Sequence, residues 1–191
     1  SASDMTRQRA LVGAPSESSN FDGVIMDGAS TDTSGSYKGA AYVLKKENGS
    51  WAHEAYLKAS NNSEQGSTFF GTAVAIDENL IVVGSSGDSS DVNGVINDAE
   101  ASADTTASNA GAAYVFRFDG TEWFEEAYLK AHNSDSYDIF GRSVDIDSDT
   151  IVVGAPGEDS DSSSVSSGPS GPTDNNGNGR GAVYVFGYDG R

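Results

Sequence analysis

The chain has 191 residues, with 29 acidic residues against 11 basic ones and a formal charge of -18. Such a surface repels nucleic acid and anionic membranes, because phosphate groups are bound by Lys and Arg, so we expect no nucleic-acid partner and no membrane insertion. The absence of cysteine excludes a disulfide framework, a thiol nucleophile and a zinc site of the cysteine type. No apolar run approaches the roughly 20 residues that a membrane helix needs.

A strand, a tight turn and a second strand recur along the chain. The complete pattern occurs in Phe70–Ser86, as FGTAVAIDENLIVVGSS, and in Phe140–Pro156, as FGRSVDIDSDTIVVGAP. Its end also occurs in Leu11–Pro15, as LVGAP. The first half alternates apolar and polar residues and the second half is β-branched, which is typical of strands. A segment that recurs in this way indicates a fold built from copies of one unit.

Two further strands follow in each period of about 70 residues. The third strand contains an Ala-Tyr-Val or Val-Tyr-Val motif and occupies Gly39–Leu44, Gly111–Phe116 and Gly181–Phe186. It leads to hairpin dipeptides at Asn48-Gly49, Asp119-Gly120 and Asp189-Gly190. The fourth strand begins with tryptophan and ends in Tyr-Leu-Lys-Ala, within Trp51–Ser60 and Trp123–His132. The second and third strands are joined by about 25 residues rich in Asp, Ser, Asn and Gly.

Four antiparallel strands per period predict an all-β fold of β-propeller-type blades. We expect one array over residues 1–191, with a partial blade over 1–69, a full blade over 70–139 and a partial blade over 140–191, or about two and a half blades. Residues 1–9 lie where the first strand of the first copy is expected, but lack its Phe-Gly start and its Val-x-Ile-Asp pattern. A closed propeller has at least four blades, so either the array is a piece of a longer chain or identical chains complete it. Unpaired end strands favour such self-association.

These motifs, taken in order from Ala10 to Gly190, resemble the FG-GAP repeat. This repeat is the unit of the integrin alpha-subunit β-propeller and of many bacterial surface proteins, and the match is closest to the bacterial form. The resemblance implies a secreted or cell-surface protein that binds a protein or glycan ligand on a cell or matrix surface, is often calcium-loaded and usually has no catalytic activity. The integrin-type calcium loop lies between the first and second strands. Here that connection is a tight turn, so those calcium ligands are not carried over.

The acidic links after the second strand contain the candidate metal ligands. Glu17, Asp88 and Glu158 share one aligned position, and Asn20, Asp91 and Asp161 share another, three residues later. Recurrent oxygen ligands with this spacing can surround Ca²⁺, which takes six to eight oxygens. The alternative is that acidic, serine-rich links are only solvated turns. The candidate calcium ligands are Glu17, Asn20, Asp88, Asp91, Glu158, Asp159 and Asp161.

The remaining recurrent residues have structural interpretations. Tyr42, Tyr114 and Tyr184 are expected in the core, whereas Trp51 and Trp123 are either packing anchors between blades or exposed platforms for sugar rings. The Phe-Gly pairs are expected between blades, with glycine allowing close approach of two backbones. We expect Lys58 and Lys130 to lay their stems along the sheet, and Asp77 and Asp147 to cap turns.

No sequence feature indicates catalysis, because the chain has no nucleophile elbow, phosphate loop or histidine cluster. The first hypothesis is a non-enzymatic extracellular binding or adhesion module whose acidic links hold calcium. The alternative is a self-assembling structural protein in which chains complete each other's blades by strand addition. A third hypothesis is an accessory part of a secreted hydrolase.

Overall fold

The computed structural model describes residues 1–62, 64–97, 101–168 and 171–187, which form thirteen β-strands in three antiparallel sheets. We call these sheets blades 1, 2 and 3. Blade 1 consists of β1 (Ser3–Met5), β2 (Arg9–Ala14), β3 (Val24–Met26), β4 (Ala40–Glu47) and β5 (Ser50–Leu57). Blade 2 consists of β6 (Phe70–Asp77), β7 (Leu80–Ser85), β8 (Val95–Asn97), β9 (Ala112–Phe118) and β10 (Trp123–Leu129). Blade 3 consists of β11 (Ser143–Asp147), β12 (Thr150–Ala155) and β13 (Ala182–Gly187).

The first two blades have the same strand order, which is β1-β2-β4-β5-β3 in blade 1 and β6-β7-β9-β10-β8 in blade 2. Blade 3 has the order β11-β12-β13. The described residues contain no helix, and therefore none that could cross a membrane. The expected all-β, propeller-type fold is confirmed. The predicted turn at Asp189-Gly190 lies outside the described residues.

Two short strands differ from the four-strand prediction. The long link of each complete blade runs to the outer edge and adds a fifth strand there, so that Ile25 pairs with Tyr56 and Ile96 pairs with Tyr128. A further short strand, β1, pairs with β2 where the first strand of the first copy is expected, although the motifs of that strand are missing from the sequence. All three strands have only three residues, so their pairing depends on the neighbouring strand rather than on a pattern of their own.

The hydrophobic core lies between blades. One apolar cluster joins residues of blades 1 and 2 around Phe70, and a second joins residues of blades 2 and 3 around Phe140. Every residue of β7 is buried, because blade 2 is covered on both faces. The corresponding β12 of blade 3 alternates between buried and more exposed residues, as expected for a sheet that is packed on one face.

Paired glycines allow neighbouring blades to approach closely. A Cβ atom on Gly13 would overlap the carbonyl oxygen of Gly71, and one on Gly84 would overlap that of Gly141. Both Gly71 and Gly141 also have positive φ, at 87° and 81°. The predicted role of the Phe-Gly pairs is therefore seen at both interfaces between blades.

The innermost strands are joined across blades by aspartate side chains. Asp4 accepts a hydrogen bond from the backbone N–H of Ile76 at 2.9 Å, and Asp77 accepts one from that of Ser148 at 2.8 Å. Asp77 thus caps a turn as predicted, but the turn belongs to the next blade. Asp147 instead accepts the hydroxyl of Ser148.

Candidate functional site

The three long links, which we call the acidic loops, comprise residues 15–39, 86–111 and 156–181. Each loop joins the second strand of its blade to the third, and the first two loops reach the outer edge of their blades, where they form β3 and β8. The same backbone hydrogen bond closes the base of every loop at 2.9 Å. It joins Gly39 N–H to Glu17 C=O, Gly111 N–H to Asp88 C=O, and Gly181 N–H to Glu158 C=O. The loops are therefore built on a common base.

A second recurrent hydrogen bond ties each loop across its middle. The backbone N–H groups of Asn20 and Asp91 donate to Asp32 and Asp104, each at 2.6 Å. In the third loop Asp161 donates to Asp174 at 2.8 Å. These bonds are the main cause of a lowered pKa at Asp32, Asp104 and Asp174. The three acceptors also recur at about 70 residues in the sequence, a signal that the alignment of candidate ligands did not use.

The first acidic position of the second loop points into the protein. The Asp88 side chain is completely buried and lies 3.4 Å from the Nζ atom of Lys130, which is also completely buried. Its other hydrogen-bond donors are the Tyr114 hydroxyl (3.1 Å), the Tyr128 hydroxyl (2.8 Å), the Ser90 N–H (3.1 Å) and the Asn61 amide (3.2 Å). Burial and the Asp88 charge raise the pKa of both tyrosines, so their hydroxyls stay protonated and donate.

The first loop repeats this arrangement with a different carboxylate. Lys58 is fully buried, and its Nζ atom lies 2.9 Å from the Glu17 carboxylate and 2.8 Å from the Ser19 carbonyl oxygen. Burial lowers the pKa of Lys58 and of Lys130, while the carboxylate beside each one opposes this change. The sequence-based expectation concerned the stems of these lysines and did not include the position of their ammonium groups, which enter the base of a loop.

The third loop has the carboxylate without the lysine. Glu158 is buried and accepts from the Asn133 amide at 2.7 Å and from the N–H and hydroxyl of Ser160, each at 3.0 Å. Within the described part of the chain, no lysine or arginine pairs with Glu158. The Tyr184 hydroxyl donates to Asn133 at 2.7 Å, just as Tyr114 donates to Asn61 at 2.8 Å. Among the described residues, Glu158 thus keeps the asparagine and serine donors of the repeated network and has neither the lysine nor the tyrosine donors that reach Asp88.

Negative charge accumulates around Glu158. Burial raises the pKa of Asp138 to about 6, and the nearby charges of Asp135, Glu158 and Asp159 act in the same direction. Asp159 accepts the Gly179 N–H. The exposed Asp161 pairs with Arg180, with 2.6 Å between Oδ1 and Nη2. This end of the array therefore differs electrostatically from the other two loops.

The candidate calcium ligands thus have three kinds of surroundings. Glu17 and Asp88 each lie beside a lysine ammonium group. Asn20, Asp91 and Asp161 donate their backbone N–H groups to an aspartate of the same loop. Glu158 and Asp159 lie near other carboxylates. No group of three or more His, Asp or Glu side chains in the described ranges is arranged to hold a metal. Calcium binding stays a prediction.

The two recurrent tryptophans differ in burial. Trp123 is 2% exposed, packs on Phe118 with 5.4 Å between ring centres, and donates from Nε1 to Glu54 of blade 1 at 3.3 Å. Trp123 is therefore an anchor between blades. Trp51, at the same position of blade 1, is 43% exposed and lies 5.8 Å from the Lys46 ammonium.

The comparison with protein families agrees with this architecture. Residues 123–170 match the family model of the FG-GAP repeat, from the fourth strand of blade 2 into the third acidic loop. The chain thus contains an FG-GAP repeat, which confirms the resemblance. No curated protein matched the chain. An FG-GAP repeat suggests a propeller-type binding or adhesion module, and the family is generally non-enzymatic.

Proposed function

We propose that this FG-GAP array is a non-enzymatic, secreted or cell-surface binding module that recognises a protein or glycan ligand through its acidic loops. The observation that carries the proposal is the shared construction of the loops. Two hydrogen bonds recur in all three, whereas the residues between these bonds differ from loop to loop. Variable loops on a constant scaffold are a common basis of recognition.

The charge of the loops defines the kind of ligand. Acidic residues far outnumber the basic residues of the three loops, which are only Lys38 and Arg180. Such a surface attracts cationic groups by electrostatic complementarity. We therefore favour a basic protein surface, or a glycan whose own acidic groups are bridged to the loops by Ca²⁺.

The binding proposal is tested with an array of purified glycans and extracellular-matrix proteins. We expect saturable binding to at least one member, weakened by increasing salt because exposed charges are screened. Asp27→Asn and Asp91→Asn in the loops should weaken it, whereas Asp149→Asn, in a turn away from the loops, should not. Binding by no member, or equal binding by all variants, would count against the acidic loops as the recognition surface.

Calcium is the second component of this proposal. Glu158 and Asp159 are the best candidates among the seven residues, because a metal at Glu17 or Asp88 would have to displace a buried ammonium group. A cation that binds only the folded chain must raise its melting temperature. We expect a higher melting temperature in millimolar Ca²⁺ than in EGTA, and a smaller difference for Glu158→Gln. Identical melting curves in both buffers would remove calcium from the proposal.

Self-assembly is a second candidate function, favoured by exposed apolar side chains on one face of blade 3. Val183 and Val185 of blade 3 are 69% and 67% exposed, whereas Ala113 and Val115 at the same positions of blade 2 are buried. Exposed apolar side chains on a sheet face are typical of association surfaces. Light scattering across a hundredfold range of concentration tests this function. A mass that stays at one chain throughout would contradict it.

A further inference from the structure

The segment that connects blade 1 to blade 2 contacts the first two acidic loops. We call its described residues, 58–62 and 64–69, the first linker, which runs from β5 to β6. Near its end, the Thr68 hydroxyl donates to the Lys38 carbonyl oxygen of the first loop at 2.6 Å. The Thr68 carbonyl oxygen accepts the Gly87 N–H of the second loop at 2.9 Å. The first linker is therefore bonded to both loops.

Asn62 of this linker holds the first acidic loop. Its side chain is fully buried, and Nδ2 donates to the carbonyl oxygens of Ser19 and Phe21 at 3.1 Å and 3.0 Å. These two residues flank Asn20, whose backbone N–H donates to Asp32 and ties the loop across its middle. Asn62 therefore fixes the first loop on both sides of the residue that makes this tie.

Gln65 holds the second acidic loop in a similar way. Its buried side chain donates to the Asp104 carbonyl oxygen at 2.7 Å and accepts the Ser89 N–H at 3.1 Å. Asp104 is also the residue whose carboxylate accepts the Asp91 N–H and ties this loop across its middle. The side-chain amides of the linker thus bind each loop next to its own tie.

Lys38 of the first loop joins these two amide residues. It is buried, and its Nζ atom donates to the backbone carbonyl oxygens of Asn62, at 2.7 Å, and of Gln65. We call Lys38, Asn62 and Gln65 the amide clamp. Hydrogen bonds from an ammonium group are roughly twice as strong as neutral ones, and they are stronger in a buried setting than in water. Lys38 therefore fixes the residue that holds the first loop relative to the residue that holds the second.

The joint between blades 2 and 3 lacks this clamp. Ala110 stands at the position of Lys38, and Ser134 stands at that of Asn62, four residues after the buried lysine. The linker there is two residues shorter between that lysine and the Phe-Gly pair. Counted from either end, it has no amide side chain at the position of Gln65. The clamp is therefore specific to the first pair of loops.

We propose that the amide clamp couples the first two acidic loops into one cooperative unit, in which the opening of one loop also opens the other. A ligand that contacts both loops then meets a surface that is ordered as a whole, which favours binding to the two loops together. The inference goes beyond the proposed recognition function, because the coupling belongs to the unliganded chain and its test contains no ligand.

Amide hydrogen exchange of the full chain, measured for single residues, tests this coupling. Amides of one cooperative unit share a free energy of opening. The backbone N–H groups of Asn20 and Asp91, which form the ties of the first and second loops, should therefore lose their protection together as urea is added. The Asp161 N–H, which ties the third loop, should follow a separate curve. Independent opening of Asn20 and Asp91 in the unaltered chain would overturn the proposal without any variant.

A variant of the clamp lysine tests the direction in which the coupling runs. Lys38→Met keeps the apolar stem and removes the ammonium group, whose described hydrogen bonds end on the first linker and not on the second loop. It should nevertheless accelerate exchange of the Asp91 N–H on the order of tenfold. Lys45→Met removes the same charge from β4, where the side chain is 43% exposed, and should change neither loop. Faster exchange in the first loop alone would contradict the proposal.

A second variant distinguishes the clamp from a general loss of stability. Gln65→Leu removes the bonds of the linker amide to the second loop. In this background the addition of Lys38→Met should not accelerate the Asp91 N–H further, because the route between the loops is already interrupted. An effect of Lys38→Met that persists in the Gln65→Leu background, or that extends equally to the Asp161 N–H, would show that the clamp does not couple the loops.

Discussion

Blades 2 and 3 place the same carboxylate in two different electrostatic environments. In blade 2, Asp88 meets Lys130 and a shell of tyrosine, serine and asparagine donors. In blade 3, Glu158 keeps the asparagine and serine donors and has no described cation partner. The difference shows that the Tyr-Leu-Lys-Ala motif contributes to blades 1 and 2 in two ways. It completes the sheet, and it neutralises the base of the acidic loop that lies over it.

Removing the lysine from the complete blade should have the largest effect. Lys130→Met keeps the apolar stem and leaves Asp88 buried without a cation, which typically costs about 3–5 kcal/mol. Glu158→Gln is the comparison in blade 3, where no described lysine or arginine pairs with the carboxylate. It should cost under about 1 kcal/mol, because the weaker hydrogen bonds are offset by the removal of a buried charge that has no described partner. Urea unfolding at pH 7 measures both variants. Equal losses would contradict the contrast between the two blades.

The tryptophan position extends the comparison to the other end of the array. Trp123→Ala removes a buried ring that contacts blade 1 and should cost about 3–4 kcal/mol. Trp51→Ala removes a partly exposed ring and should cost about 1 kcal/mol or less. The shift of the urea midpoint compares the two variants. Equal losses for Trp51→Ala and Trp123→Ala would show that the difference in burial of the two rings does not determine what they contribute to stability.

The glycine near the end of the second strand gives a third contrast. In Gly84→Ala the new methyl group meets the backbone of Gly141 in blade 3, which cannot move without separating the two blades. We expect a loss of about 2–3 kcal/mol. In Gly154→Ala the methyl group meets only the hydroxyl of Ser143, which can rotate away. Thermal melting should therefore show a large decrease for Gly84→Ala and a small one for Gly154→Ala.

The recurrence of whole motifs is what made the fold predictable from sequence. Phe70-Gly71 and Phe140-Gly141 mark the starts of β6 and of the third unit, and the alternation after them predicts paired strands. The outer strands β3 and β8 were not predictable in this way. Each has three residues inside a polar link, and pairing with β5 or β10 makes it a strand.

The candidate site was predictable only in part. The alignment identified Glu17, Asp88 and Glu158, but local pattern gave no reason to connect them with lysines 41 and 42 residues away. That connection depends on the long link crossing the whole blade. One signal was present in the sequence, since an acidic residue and a lysine recur together at this separation in both complete units.

The smallest expected effect on stability comes from the neighbouring carboxylates of blade 3, and this effect depends on pH. Because burial raises the pKa of Asp138 from 3.8 to about 6, the folded chain binds more protons than the unfolded chain between these values. The stability that Asp138 contributes is thus present below about pH 4 and is lost as the pH rises through 6. Asp138→Asn removes this dependence and keeps an oxygen for the Asp135 N–H.

We expect Asp138→Asn to be more stable than the unaltered chain by about 1–2 kcal/mol at pH 7, and to show no such gain at pH 4. Urea unfolding of both proteins at the two pH values measures the difference. The exposed Asp149→Asn serves as the control, and its difference should not change with pH.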